Sequence, residues 1–203
     1  MIKTDDFIKH FSKLFPEAAE LQPWQITSAL NQIISEKILS LDKFFMCKNG
    51  IAIHKTAIVE SGAVLKAPVI VGANCFVAAN VCLRAGVYLA ANIKIGMGCE
   101  IKNSIIFNNS AVAHFNFIGD SIIGNNVNFE AGAVIANHFN ERTDKKITVF
   151  YNGNTINTNA EKFGALVGDN SKIGANEVLS PATVLKPNSI VKRLELIDQQ
   201  NKL

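Results

Sequence analysis

The chain has 203 residues, 48% hydrophobic and 18% charged, with a formal net charge of +3 at pH 7. That balance suits one folded domain, or one domain with a small appendage, and excludes a disordered chain. Only Arg84, Arg142 and Arg193 supply guanidinium groups and no basic block occurs, so neither nucleic acid nor a membrane is an expected partner.

The opening residues, Met1 to Phe7, are polar and lack the apolar stretch of a secretory signal, which predicts a cytoplasmic protein. Residues 1–46 read as an N-terminal helical cap over one end of the main domain. Thr4, Asp5 and Asp6 form a candidate N-cap ahead of Phe7, Ile8, Phe11 and Leu14, which share one helical face. Pro16 and Pro23 punctuate, and a second helix is expected over residues 24–38, with Ile26, Leu30, Ile33 and Ile34 inward.

From residue 47 to 193 the pattern changes. Stepping six residues from Ile53 meets Val59, Leu65, Val71, Val77, Leu83, Leu89, Ile95, Ile101, Phe107 and Ala113, all apolar. Four residues beyond these positions sit small or β-branched residues, among them Ala57, Ala63, Cys75, Val81 and Cys99. Three residues beyond them the chain prefers Gly or Asn (Gly62, Asn74, Asn80, Gly86, Asn92, Gly98), the residues that tolerate positive φ at a tight corner. Neither a 3.6-residue helical period nor a single alternating strand produces this rhythm. Short strands joined by corners do, and stacked coils bury one continuous interior column. Cys75 and Cys99 fall in the interior slot. With Cys47 and Cys82 they make no CxxC pair, so free thiols are expected.

Two irregularities interrupt the coil. Between Ala113 and Phe117 the step is four residues, with His114 inside the slip. The rhythm then holds through Ile123, Phe129 and Ile135, is lost over 136–163, and returns at Val167, Ile173, Leu179, Leu185 and Val191. The interruption carries charged residues, a β-prone run at 147–151 and the hairpin pair Asn152-Gly153. Solenoid insertions project from one face, often the binding face. Residues 194–203 read as a tail.

The hexad pattern resembles the hexapeptide-repeat family, which implies an all-β, left-handed parallel β-helix with a short N-terminal helical segment, associating as a homotrimer. The stretches His114-Phe115-Asn116-Phe117-Ile118-Gly119-Asp120, Ile123 to Gly132, Ala136-Asn137 and Phe163-Gly164-Ala165 are more specific. They are similar to the acetyltransferase domain of the bifunctional glucosamine-1-phosphate acetyltransferase / N-acetylglucosamine-1-phosphate uridyltransferase, and to archaeal sugar-phosphate nucleotidylyltransferases with such a domain.

That resemblance implies acetyl-CoA as co-substrate, a small-molecule sugar as acceptor, and no metal. It places His114 as the catalytic base that deprotonates the attacking amine, and Asn137 as an amide donor to the developing oxyanion. Asn116, Phe117, Asn128, Lys145 and Lys146 fall on substrate-binding positions. Ala131, Ala175, Lys192 and Arg193 fall where coenzyme A is held.

The chain also departs from the family pattern. Phe117 stands where a tyrosine is usual, Thr143 stands near a usual lysine, and the C-terminal end is about one coil shorter. No stretch ahead of Ile51 is long enough for the nucleotidyltransferase domain. His54, His114 and His138 do not form the close pair of the zinc-dependent relatives, so metal catalysis is not expected. Two readings remain: an N-acetyltransferase with its site between trimer subunits, or a non-catalytic trimeric scaffold.

Overall fold

The computed structural model describes residues 1–199 and folds as the parallel β-helix that the repeat predicts. Strands of two or three residues stack in parallel on three faces, each face seven rungs deep. The first face runs from Ile51–His54 through Val69–Val71 to Thr183–Leu185, the second from Ile58–Val59 to Ile190–Val191, and the third from Val64–Leu65 to Leu196–Ile197. The long strands Cys82–Leu89 and Glu100–Ile106 each turn from the third face onto the first. The coil therefore continues to Ile197, beyond the expected residue 193, and residues 200–203 of the expected tail lie outside the described part.

Each rung turns a large apolar side chain inward on every face, and on some strands a second residue, such as Val69 or Ala165, joins it. Along the first face the large ones are Ile53, Val71, Leu89, Ile106, Ile123, Val167 and Leu185, and together with their counterparts on the other faces they form the interior core. This corrects the expected slots at Phe107, Ala113 and Phe117. The interior positions there are Ile106, Val112 and Ile118. The single four-residue step is in fact two five-residue steps, Ile101 to Ile106 and Ile118 to Ile123. Each shortens the corner between the third and first faces, at Asn103 and Asp120, which both adopt left-handed backbone. His114 thus sits on a regular corner.

The first face is apolar on its outside as well. Ala52, Ile70, Ile105, Ile122, Leu166 and Val184 are buried in a second core. A sheet with both sides apolar needs both sides covered. The N-terminal segment supplies that cover by laying its helices along this face instead of over the open end of the coil, where only the strand Phe45–Lys48 pairs, antiparallel, with the edge of Ile51–His54. The helix Pro23–Leu39 packs on Cys82–Leu89 and Glu100–Ile106, with Ile26, Leu30 and Ile34 fully buried. Gly86 admits it closely, since a Cβ there would lie 3.3 Å from the Asn31 backbone. The helix begins with reciprocal Gln22–Gln25 capping.

Ahead of it, the single expected helix is instead a 3-10 turn, Thr4–Asp6, and a short helix, Phe11–Leu14, broken at His10 with φ 68°. The break lets Phe11 and Phe15 pack against Phe107 at 5.9 and 6.0 Å between ring centroids, so Phe107 is buried outside the coil. The insertion between Ile135 and Ala165 completes the cover with Phe139, Ile147, Val149 and Phe163. Its strands Thr148–Tyr151 and Asn154–Asn157 form the expected hairpin, with positive φ at both Asn152 and Gly153. All four cysteines are free. Among the described residues no helix is long and apolar enough to cross a membrane.

Glu177 breaks the interior pattern. It occupies the corner slot that holds Ala63, Val81, Cys99 and Ala133 on other rungs, is fully buried, and neither carboxyl oxygen has a partner among the described residues. Burial pushes its carboxyl up to about 8. The unfolded chain releases this proton near the ordinary value of 4.5, so between about pH 4.5 and pH 8 the folded state holds a proton that the unfolded state has lost. Stability accordingly falls as pH rises across that window. Glu177→Gln is expected to raise stability at pH 8 by on the order of a few kcal/mol, seen as a higher Tm, and to change it little at pH 4. Thermal melts at the two pH values check this; equal effects at both would show that ionisation is not the cause.

Candidate active site

The expected site residues distribute over one corner and the two faces that meet there. Backbone bonds from Phe115 N to Met97 O, Gly132 N to His114 O, Asn176 N to Ala131 O and Leu194 N to Ala175 O repeat at 2.9–3.0 Å. They stack Met97, His114, Ala131, Ala175 and Arg193 as one column on the corner between the second and third faces. His114 is exposed and its imidazole has no hydrogen-bond partner among the described residues. Gly96 leaves room for the ring, as a Cβ there would come within 3.0 Å of His114 Nδ1. Next to it Phe115 is 68% exposed and holds a left-handed φ of 58°, an uncommon conformation for a bulky residue. Its ring lies where a Cβ on Gly98 would be 2.5 Å away, so Gly98 permits this placement.

On the second face, Asn128, Glu130, Lys172, Lys192 and Arg193 line a groove of about 530 Å³. Arg193 makes a two-pronged contact with Glu130, with Nε to Oε2 at 2.6 Å and Nη2 to Oε1 at 2.5 Å. Ala175 N adds a third bond to the same carboxylate at 3.0 Å. The Arg193 guanidinium, then the Ala175 amide, hold the Glu130 carboxyl below its usual range, and Glu130 raises Arg193 in return. With Arg193 so engaged, Lys172 and Lys192 are the groove's cations without an ion-pair partner among the described residues.

On the far edge of the third face lies a cleft of about 520 Å³, lined by Arg84, Lys102, Phe117, Asn137, Lys145 and Lys162, with His138 and Glu161 beside them. Its anchor is Asp120, which is buried and accepts from Lys102 Nζ and Asn103 Nδ2, each at 2.7 Å, and from Asn137 Nδ2. One Asn137 N–H is thereby committed, and the second is the one left for a ligand. Asp120 O also receives Gly164 N, and Asn137 O receives Phe163 N, which tie both ends of the insertion to this point. Gly164 is required there, because a Cβ would collide with Gly119 O and with the Ser121 hydroxyl.

The chain thus joins Phe117, Asn137 and Lys145 in the third-face cleft, and Asn128, Lys192 and Arg193 in the second-face groove. His114 belongs to neither; it stands on the corner between the second and third faces, across the third face from the cleft. Lys146 is exposed on the insertion, outside the cleft lining. Asn116 is buried, its amide spent on His114 O at 3.1 Å and Ala133 N at 2.8 Å, which makes it a corner staple. Asp120, Arg84, Lys102 and Lys162 are the residues of the cleft that sequence reading misses. Of these, Asp120 has a signal, since it stands where the coil drops one residue. Among the described residues no three His, Cys, Asp or Glu side chains converge as a metal site.

A stretch of 181 residues, 87% of this chain, is 45% identical to the bifunctional protein GlmU of Methanococcus maripaludis (strain C7) and covers 43% of that protein. The chain is thus similar to a part of the GlmU proteins. Over 101 residues it is also 34% identical to the bifunctional sugar-1-phosphate nucleotidylyltransferase/acetyltransferase of Sulfurisphaera tokodaii, covering 46% of this chain and 24% of that one. It spans less than half the length of these relatives. No family model matches the sequence. A solved Arabidopsis UDP-N-acetylglucosamine acyltransferase is similar at 16% identity and a TM-score of 0.30, over 72% of this chain and 61% of that one, a likeness too slight to bear on function.

Asp120→Ala would leave Lys102, Asn103 and Asn137 without their shared acceptor in a largely buried place. A loss of about 2–4 kcal/mol is expected, roughly 5–15 °C in Tm, with proteolysis of residues 136–164 accelerated. Unchanged Tm and unchanged cleavage would show that the insertion is held by its apolar contacts alone.

Proposed function

We propose that the chain is an acetyl-CoA-dependent N-acetyltransferase acting on an amino sugar phosphate or nucleotide-sugar, working in the cytoplasm as a homotrimer with its site between subunits. The observation that carries this reading is the corner column: His114, Ala131, Ala175 and Arg193, expected in one reaction, stack on consecutive rungs beside the second-face groove that Arg193 lines.

The column and the second-face groove would hold the acyl donor, its extended arm along Ala131 and Ala175 and its phosphates toward Lys192 and Lys172. The third-face cleft would take the acceptor, since Lys145 and Lys162 have no ion-pair partner among the described residues and Arg84 and Lys102 line the same cleft. Amide formation joins the acceptor nitrogen to the acetyl carbon and releases a thiol, and a proton must leave the nitrogen. The unengaged imidazole of His114 takes that proton. The free N–H of Asn137 serves the carbonyl oxygen as charge develops. In one chain His114 and Asn137 lie at opposite edges of the third face, so a neighbouring subunit would bring the complementary edge. Met97 and Phe115, exposed at 47% and 68% beside His114, give that neighbour an apolar contact.

The scaffold reading draws support from Phe117, which offers no hydroxyl in the cleft. Thiol release from acetyl-CoA, measured with glucosamine-1-phosphate and a panel of amino sugars, separates the two. Turnover is expected, and His114→Ala should reduce kcat by about 10²–10⁴ with the oligomer intact by light scattering. No turnover with any acceptor, and no binding of coenzyme A by calorimetry, would leave the scaffold.

A further inference from the structure

A third groove lies away from this site. It measures about 640 Å³ and sits on the corner between the first and second faces, where the N-terminal segment meets the coil. One wall is built from repeated asparagines. Asn74, Asn92, Asn109, Asn126, Asn170 and Asn188 all take the same left-handed corner conformation. Their amides run rung to rung, with Asn92 Nδ2 to Asn109 Oδ1 at 2.9 Å and Asn126 Nδ2 to Asn170 Oδ1 at 3.1 Å. Such ladders stabilise solenoids by themselves, so the row alone assigns nothing. Each amide of the row nevertheless keeps at least one N–H unspent among the described residues.

Three further features turn the row into a groove with chemistry. The opposite wall is the segment Lys9, His10, Lys13 and Leu14. It is fixed in place by Asp169, whose carboxylate accepts from Lys9 N at 2.9 Å and from Asn125 N at 2.7 Å, while Asp169 N donates to Phe7 O at 2.9 Å. Among the described residues neither Lys9 nor Lys13 has an ion-pair partner, although both border a cavity. Leu14, half-buried, gives the floor an apolar patch.

Length decides among ligands. Asn92, Asn109, Asn126 and Asn170 occupy four consecutive rungs, so amide donors and acceptors recur about every 4.8 Å over roughly 14 Å. A compact anion would use one rung and leave the rest idle. An extended chain of sugars repeats its hydroxyls at about the spacing of the rungs, offers apolar C–H faces to Leu14, and brings anionic groups to the lysines if its residues are acidic. We propose that this groove binds an acidic, uronate-bearing oligosaccharide of about three residues, through amide contacts from the asparagine row and ion pairs to Lys9 and Lys13. This assignment is independent of the acetyltransferase reading, since no residue of the groove belongs to the corner column, the second-face groove or the third-face cleft.

Calorimetry on the full chain with trigalacturonate, at low and at physiological salt, tests it. Binding is expected, weaker at the higher salt, and weakened about tenfold or more in Lys9→Glu/Lys13→Glu. Both lysines are exposed, so the double variant should keep its Tm. Lys172→Glu/Lys192→Glu, on the other groove, should bind as the parent does. The proposal is overturned by any of four results: no binding at millimolar concentration, equal binding of neutral maltotriose, equal binding of monomeric galacturonate, or loss of binding only in the Lys172→Glu/Lys192→Glu protein.

Discussion

Parallel pairing between residues 17 or 18 apart is the constraint on which this molecule rests. Each strand contributes only two or three residues, too few to hold a register by its own hydrogen bonds. Register is set by the interior column instead, because a one-residue slip would turn an inward Ile or Val to the outside and put a polar neighbour into the core. Where the chain does drop a residue, it does so inside a corner. Asn103 and Asp120 absorb the shorter path in left-handed backbone, and the inward sequence Ile101, Ile106, Val112, Ile118, Ile123 continues intact.

The same constraint explains what is legible from the residues alone. The coil, its interior slots, the insertion and its hairpin follow from local periodicity and turn chemistry, which a sequence displays directly. Phe107 shows where periodicity misleads. Two adjacent apolar residues, Ile106 and Phe107, both fit a large-residue slot, and only the partners of Phe107 (Phe11 and Phe15, nearly a hundred positions away) decide which points outward. The N-terminal segment misleads for a related reason. Its apolar faces announce that it covers something, yet what it covers is the outer row of the first face, alternate residues whose exposure cannot be judged without the third dimension. His114 stands out in the sequence through an apparent slip that lies elsewhere, so its standing comes from the column it shares with Ala131, Ala175 and Arg193. Asp120 escapes notice because its role depends on Asn137 and Lys102, brought to it only by stacking.

The two segments that cover the first face are held differently. The helix Pro23–Leu39 relies on apolar packing supplemented by one bond from Asn103 to Thr27 O at 2.9 Å. The insertion relies on apolar packing as well, but its two ends converge on Asp120 and Asn137 through backbone bonds. Asn103 donates to Thr27 O and to Asp120 with the same amide nitrogen, so helix, corner and insertion meet at a single polar cluster. A polar cluster of this kind is sound only when every member is satisfied, and here the lone carboxylate answers three donors.

The three corners of the coil have diverged, and their divergence bears on what each can do. The corner between first and second faces repeats asparagine on rung after rung, so whatever it contacts must itself be repetitive or indifferent to position. The corner between second and third faces carries Met97, His114, Ala131, Ala175 and Arg193, a different residue on almost every rung, which gives it an address along the coil. Chemistry at one atom needs such an address. The corner between third and first faces is irregular in length, with a dropped residue at Asn103 and at Asp120 and the insertion one rung later. Because a corner residue contributes little to the interior column, length can vary there at small cost to the core, and the insertion enters where the coil already tolerates change. A solenoid can therefore separate its tasks by edge: one edge for repetition, one for singular chemistry, one for added structure.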